Sequence, residues 1–158
     1  MLEQLKELLE MQKTLDESIL KEHGNVYDEE IAEKMKVALF VELGELMNEF
    51  PTKFKQWKKT AKDDREKGLV EYVDALHFAL SLSNHYQCNL FDLREYEQYH
   101  TNCNLSMLLI GCVDNCRYDD CLMYLFDIGN NLGFTWDEIY KAYKAKNQVN
   151  YERLANGY

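Results

Sequence analysis

The stretch Asp28-Glu29-Glu30-Ile31-Ala32-Glu33-Lys34-Met35-Lys36-Val37-Ala38-Leu39-Phe40-Val41-Glu42-Leu43-Gly44-Glu45-Leu46-Met47-Asn48-Glu49-Phe50-Pro51 decides the fold class. It opens on acids, which a helix favours in its first turn. Ile31, Met35, Leu39 and Leu46 then recur at helical spacing as far as Phe50. Pro51 ends the run, because the residue before a proline is driven out of the helical region. Upstream, Leu5, Leu8, Leu9, Met11, Leu15 and Ile19 give an amphipathic helix from Leu2 to about His23-Gly24-Asn25, where glycine suits the C-terminal position. Downstream, Leu69, Tyr72, Val73, Leu76, Leu80 and Leu82 mark the buried side of a helix from about Asp64 to Tyr86. Shorter helices are predicted over Leu90–Tyr99, Leu105–Asn115 and Asp119–Leu132. Gly133 reads as a C-cap, and Thr135-Trp136-Asp137-Glu138 is a capping box that opens a last helix through Lys146. One Pro and seven Gly in 158 residues are too little punctuation for sheets joined by tight turns. The expectation is all-α: a single-domain helical bundle over residues 1–158.

Apolar residues make up 46% of the chain and aromatics 13%, enough for a core, which excludes wholesale disorder. The net charge of −10 repels nucleic-acid polymers and anionic membranes, so neither is expected as a non-specific partner. Met107 to Val113, the longest apolar stretch, falls far short of the ~20 residues of a membrane span. The first residues alternate acid, base and apolar side chains without the apolar core of a signal peptide. The five Cys are odd in number and form no C-x-x-C. A cytoplasmic protein is therefore expected. Charge is uneven: residues 1–50 carry net −8, residues 51–67 net +4 and residues 68–158 net −6. The basic segment reads as a solvated Lys-rich connection, or as a phosphate-facing loop where a site lies nearby.

Glu42 and Glu45 stand i,i+3 on the second helix, and Glu71 and Asp74 repeat the arrangement on the third. Both pairs interrupt stretches otherwise committed to packing. One close pair of like charges costs about 4 kcal/mol at an effective dielectric near 20, so four carboxylates on facing helices require a cation. An all-oxygen set without His or Cys suits Mg²⁺, which takes few protein carboxylates and completes its shell with substrate phosphates. Two solvated acidic faces are the plain alternative. A di-iron bundle needs a Glu-x-x-His from each of two helices, and only Asp74-x-x-His77 approaches that. Near the C-terminus Lys146, Asn150 and Arg153 fall at i, i+4 and i+7, one face wherever the helix persists. They suit phosphate binding or, more plainly, a basic helix end favoured by the macrodipole. His100, Cys103, Cys112, Cys116 and Cys121, with Cys88 to spare, are too diffuse for a zinc site and read as small buried thiols. Trp136 is expected to anchor the last helix.

Several pieces carry a resemblance: Met11-Gln12-Lys13-Thr14-Leu15-Asp16, Glu42-Leu43-Gly44-Glu45, Phe54-Lys55-Gln56-Trp57-Lys58, Glu71-Tyr72-Val73-Asp74-Ala75-Leu76-His77-Phe78, and Lys146-Asn147-Gln148-Val149-Asn150-Tyr151-Glu152-Arg153 with the ending Gly157-Tyr158. In this order they resemble the dimeric all-α dUTPases, a branch of the all-α NTP pyrophosphatase superfamily. The acidic pairs are common to the superfamily; the Gln12, Trp57-Lys58 and C-terminal motifs point to dUTP. The sequence departs from the family at Asp16, where many members carry Asn, and at Leu154, where many carry Gln.

The resemblance implies Mg²⁺-dependent hydrolysis of dUTP to dUMP and pyrophosphate by a homodimer. Glu42, Glu45, Glu71 and Asp74 would bind the metal, and a catalytic glutamate, Glu42 or else Glu45, would orient and deprotonate the attacking water. Gln12, Asp16, Trp57 and His77 would lie on the nucleoside side, and Lys58, Lys146, Asn150 and Arg153 would hold phosphates. Residues 147–158 would be a mobile phosphate-binding tail. Some phage-encoded members bind a repressor protein, a partner the resemblance extends to a phage source. The alternatives are an all-α pyrophosphatase acting on another nucleotide such as dCTP, and a non-catalytic cation-binding helical interaction protein.

Overall fold

The computed structural model of the protein describes residues 1–88, 104–116 and 120–157. Over these residues the chain forms α1 (Leu2–Glu22), α2 (Glu29–Glu49), a short 3₁₀ turn (Pro51–Lys53), α3 (Arg65–His85), α4 (Leu105–Asp114), α5 (Asp120–Asn131) and α6 (Trp136–Ala155), with no strand among them. The helix expected over residues 90–99 lies outside the described residues.

The apolar pattern of α3 explains the architecture. Gly68, Tyr72, Val73, Ala75, Leu76, His77, Ala79, Leu80, Ser81, Leu82 and Ser83 are all buried, so nearly every side of the helix is covered. A helix buried all round sits at the centre of its bundle. Here α2 packs along it, α1, α5 and α6 cover its other sides, and α4 packs on α5 and reaches α2. One continuous apolar cluster runs through all six helices, including Leu8, Leu39, Leu46, Leu76, Leu80, Leu108, Leu122 and Tyr143. Burying one such leucine contributes ~1.5–3 kcal/mol.

Local chemistry sets the helix ends. Asp28, Asp64 and Asn104 accept hydrogen bonds from the backbone N–H groups of Ile31 (2.9 Å), Lys67 (3.1 Å) and Met107 (3.0 Å). Each satisfies a donor that the first helical turn leaves unpaired. The Thr135/Glu138 capping box opens α6, with both reciprocal bonds made. Gly133, at φ +80°, closes α5: Gly133 N–H bonds Asn130 O at 3.1 Å and Phe134 N–H bonds Gly129 O at 2.9 Å, the pairing of a Schellman end.

The connection from α2 to α3 is closed at its base. Thr52 donates through its N–H (3.0 Å) and its hydroxyl (2.6 Å) to the Asp63 carboxylate, and Asp64 N–H bonds Glu49 O at 2.8 Å. The two helices approach so closely there that a Cβ on Gly68 would come within 2.3 Å of the Phe50 ring.

Beyond the expected end at Lys146, α6 continues to Ala155. Buried Asn147, the Gln148–Glu152 side-chain bond (3.1 Å) and the Asn156 amide on Glu152 O (2.7 Å) hold the extra turns, which carry too little apolar periodicity to be read from sequence. Trp136 fastens the start of the helix: its Nε1 donates to Gln4 Oε1 at 2.6 Å and its ring stands edge-on to Phe126 at 5.5 Å. Among the described residues no helix is long and apolar enough to cross a membrane.

Candidate active site

The bundle leaves a cavity of about 360 Å³ walled by α1, α2, α3 and α6. That is within the ~300–1,000 Å³ of small-molecule pockets. Helix α1 contributes Gln12 and Asp16, α2 contributes Glu42, α3 contributes Asp74, His77 and Ser81, and α6 contributes Lys146, Asn150 and Arg153. The extra turns of α6 put these last three on one face, as the i, i+4, i+7 spacing requires once the helix persists.

Glu42, Glu45 and Glu71 come together, each offering an oxygen within 4.8 Å of the others. Among the described residues they are the one such group of His, Cys, Asp or Glu ligands. Glu45 is exposed and the other two are half-buried. Burial, then the charges of Asp74, Glu45 and Glu71, push the Glu42 carboxyl up to about 7. Burial first, then Asp74 and Glu45, also raise Glu71. Asp74 is held otherwise: its Oδ2 lies 2.5 Å from Lys146 Nζ, and both side chains are about four-fifths buried. Lys146 thus neutralises one of the four acids and leaves three repelling one another. An all-oxygen, under-neutralised donor set fits a hard divalent cation.

Deeper in the bundle Gln12 is the hub of a hydrogen-bond network. Gln12, 4% exposed, donates through Nε2 to Asp16 at 2.8 Å. Its Oε1 accepts from the Tyr143 hydroxyl at 2.8 Å and meets His77 Nδ1 at 2.7 Å. Ser81 also bonds Asp16, and its hydroxyl lies 2.9 Å from that of Tyr27. Burial raises Asp16 to about 6, with the Ser81 and Gln12 bonds working against the rise. Burial, and then the Lys146 charge, push His77 down to about 3, so its imidazole is neutral. The His77 ring stacks on Tyr143 with centroids 4.1 Å apart, and its Nε2 is buried with no partner.

Trp57 and Lys58 do not reach this cavity. Trp57 is 71% exposed and meets Phe54 edge-on at 6.5 Å, while Lys58 is exposed. Conversely, Tyr27, Ser81 and Tyr143 were not singled out by the sequence. Ser81 follows His77 by one helical turn on α3, and Tyr143 precedes Lys146 by one turn on α6; either spacing was a usable signal. Cys112, Cys116 and Cys121 are buried, with the Cys112 and Cys121 sulfurs 3.8 Å apart, and behave as core thiols. His100 and Cys103 lie outside the described residues.

A bundle of helices around a ligand-sized cavity with acids on one wall and cations on another is the framework of an all-α enzyme. Its family is shown by the whole chain: the family model described as dUTPase matches residues 4–158, and the chain belongs to that family. The activity is that of a dUTP diphosphatase. Comparison with curated proteins finds no match.

Proposed function

We propose that the protein hydrolyses dUTP to dUMP and pyrophosphate with Mg²⁺ bound by Glu42, Glu45, Glu71 and Asp74. The observation that carries this reading is the three-glutamate cluster beside a cavity whose α6 wall presents Lys146, Asn150 and Arg153. When bound, Mg²⁺ supplies charge neutralisation at phosphate oxygens and lowers the pKa of water. Glu42 orients the attacking water and takes its proton, with Glu45 the second candidate for that role. Lys146, Asn150 and Arg153 hold the triphosphate in the attitude required for displacement. Gln12, Asp16 and His77 bind the nucleoside side. Trp57 and Lys58 belong to the same reading only after the 53–62 segment or another copy of the chain brings them to the cavity. Residues 147–158 serve as the phosphate-binding segment.

A homodimer is the proposed assembly. Val37, Phe40 and Val41 lie one turn apart on α2 and are largely exposed, as are Met107 and Ile110 on the neighbouring α4. Apolar side chains grouped in this way suit a second copy of the chain. A repressor protein is a further partner where the source is a phage.

Turnover of a panel of deoxynucleoside triphosphates, with Mg²⁺ and with EDTA, tests the reading. dUTP is expected to be the preferred substrate and EDTA to abolish its hydrolysis. Preference for dCTP would move the protein to another substrate, and full activity in EDTA would remove the metal from the proposal.

A further inference from the structure

The hydrogen bonds beneath the cavity can be assigned a direction from donor and acceptor chemistry alone. Asp16, ionised at neutral pH, can only accept, so the amide nitrogen of Gln12 must face it and the amide oxygen must face His77 and Tyr143. That oxygen can only accept. Tyr143 therefore gives its proton to Gln12 Oε1 at 2.8 Å in preference to Leu8 O at 3.4 Å, and His77 must carry its proton on Nδ1. His77 Nε2 is then a bare lone pair, buried, without a partner, on a residue that lines the cavity. With the Ser81 proton given to Asp16, the Tyr27 hydroxyl is the donor to Ser81. What Asp16 and His77 themselves offer a ligand is acceptors, the spare lone pairs of the carboxylate and Nε2 of the imidazole.

Tyr143 holds this arrangement without lining the cavity. It is fully buried, its ring stacks on His77 at 4.1 Å with 19° between the planes, and its hydroxyl saturates the Gln12 oxygen. Were that hydroxyl missing, Gln12 Oε1 would keep one donor in place of two, and Asp16 alone would oppose a turn of the amide that lets it donate to His77 Nδ1. His77 would then carry its proton on Nε2 and present a donor to the cavity.

We propose that Tyr143 is a positioning residue for substrate choice, whose hydroxyl and ring fix Gln12 and His77 so that Nε2 of His77 meets the nucleoside as an acceptor. The site then takes nucleosides that offer a donor there, a ring N–H or a sugar hydroxyl. A ring nitrogen that is itself a lone pair, such as N3 of cytosine, is refused at that position. The inference rests on the proposed placing of Gln12, Asp16 and His77 on the nucleoside side.

The experiment combines nitrogen-15 NMR of the His77 ring with steady-state kinetics. In the substrate-free wild-type chain the ring is expected in the Nδ1–H form, with Nε2 unprotonated. Tyr143→Phe keeps the stacked ring and removes only the hydroxyl. It is expected to give a mixture of tautomers, a KM for dUTP raised ~10-fold with kcat within about twofold, and a narrower margin of dUTP over dCTP. N3-methyl-dUTP and 3′-deoxy-dUTP, each lacking one donor, show by their KM which group the network reads. An Nε2–H ring in the wild type overturns the proposal even if Tyr143→Phe fails to fold. A variant with the wild-type tautomer, KM and margin overturns it as well. Failure of wild-type dUTP turnover would instead refute the proposed function, while the tautomer measurement would still decide the role of Tyr143.

Discussion

Two polar regions border the same cavity and solve the burial of polar atoms in opposite ways. Around Gln12, donors meet acceptors: one amide serves Asp16, His77 and Tyr143 at 2.7–2.8 Å. Around Glu42, three acids face one another and the nearest cation, Lys146, is committed to Asp74 at 2.5 Å. The first region stabilises the fold because breaking it leaves buried groups unpaired. The second opposes the fold, as a site built for a ligand often does. Substitutions in the two regions should therefore have opposite effects on stability while both reduce activity.

The largest effect is expected from Glu42→Gln, which keeps size and hydrogen-bonding capacity but removes the proposed base. Turnover should fall ~10²-fold or more with a modest change in nucleotide affinity. Losing both equally would assign Glu42 to metal binding and shift the base to Glu45.

Truncation after Gln148 removes Asn150 and Arg153 from the cavity wall and leaves both polar regions intact. The protein should remain folded and still be stabilised by Mg²⁺ through mass action, but hydrolyse dUTP about 10²-fold more slowly. Full activity would place the phosphate clamp elsewhere, with Lys58 the next candidate.

Gln12→Leu breaks the first region. His77 Nδ1–H and the Tyr143 hydroxyl would lose their common acceptor, at a cost of at least ~2 kcal/mol in denaturant unfolding. A stability equal to wild type would show that the network contributes nothing to the fold.

The smallest effect sharpens the contrast. Glu42 binds its proton more tightly in the folded chain, near 7, than its ordinary value of 4.5. The stability it contributes is present below the unfolded value and lost as the pH rises through the folded one. Glutamine has no such loss. In EDTA, Glu42→Gln should therefore melt above wild type, and the gap should widen to about 2–4 °C between about pH 5 and pH 8. Mg²⁺ should close it. A gap that narrows with rising pH would show that the cluster is solvated.

Much of this was legible because its signals are local. The helix over 29–49 follows from apolar spacing, the start of α6 from Thr135 and Glu138, and the meeting of Glu42 with Glu45 from one helical turn. The far end of α6 was hidden, since a polar stretch such as Lys146 to Ala155 is held by a buried Asn147 and side-chain bonds that leave no periodic mark. Contacts across the bundle were hidden too. The Lys146–Asp74 and Gln12–His77 pairs join residues far apart in sequence, and nothing local distinguishes Tyr143 from any other core aromatic. Trp57 shows the reverse case, for a residue singled out from a sequence motif stands outside the cavity of a single chain.

The clasp of Thr52 on Asp63 gives the protein an exchangeable part. The ends of the connecting segment are fastened to each other and to Glu49, so the helices do not depend on what lies between. Lengthening a flexible loop between fixed ends costs only ~0.6 kcal/mol per doubling. Residues 53–62 can therefore be rewritten, grafted or extended as a cassette while the bundle keeps its shape, and new specificity can be tried there at little risk to folding.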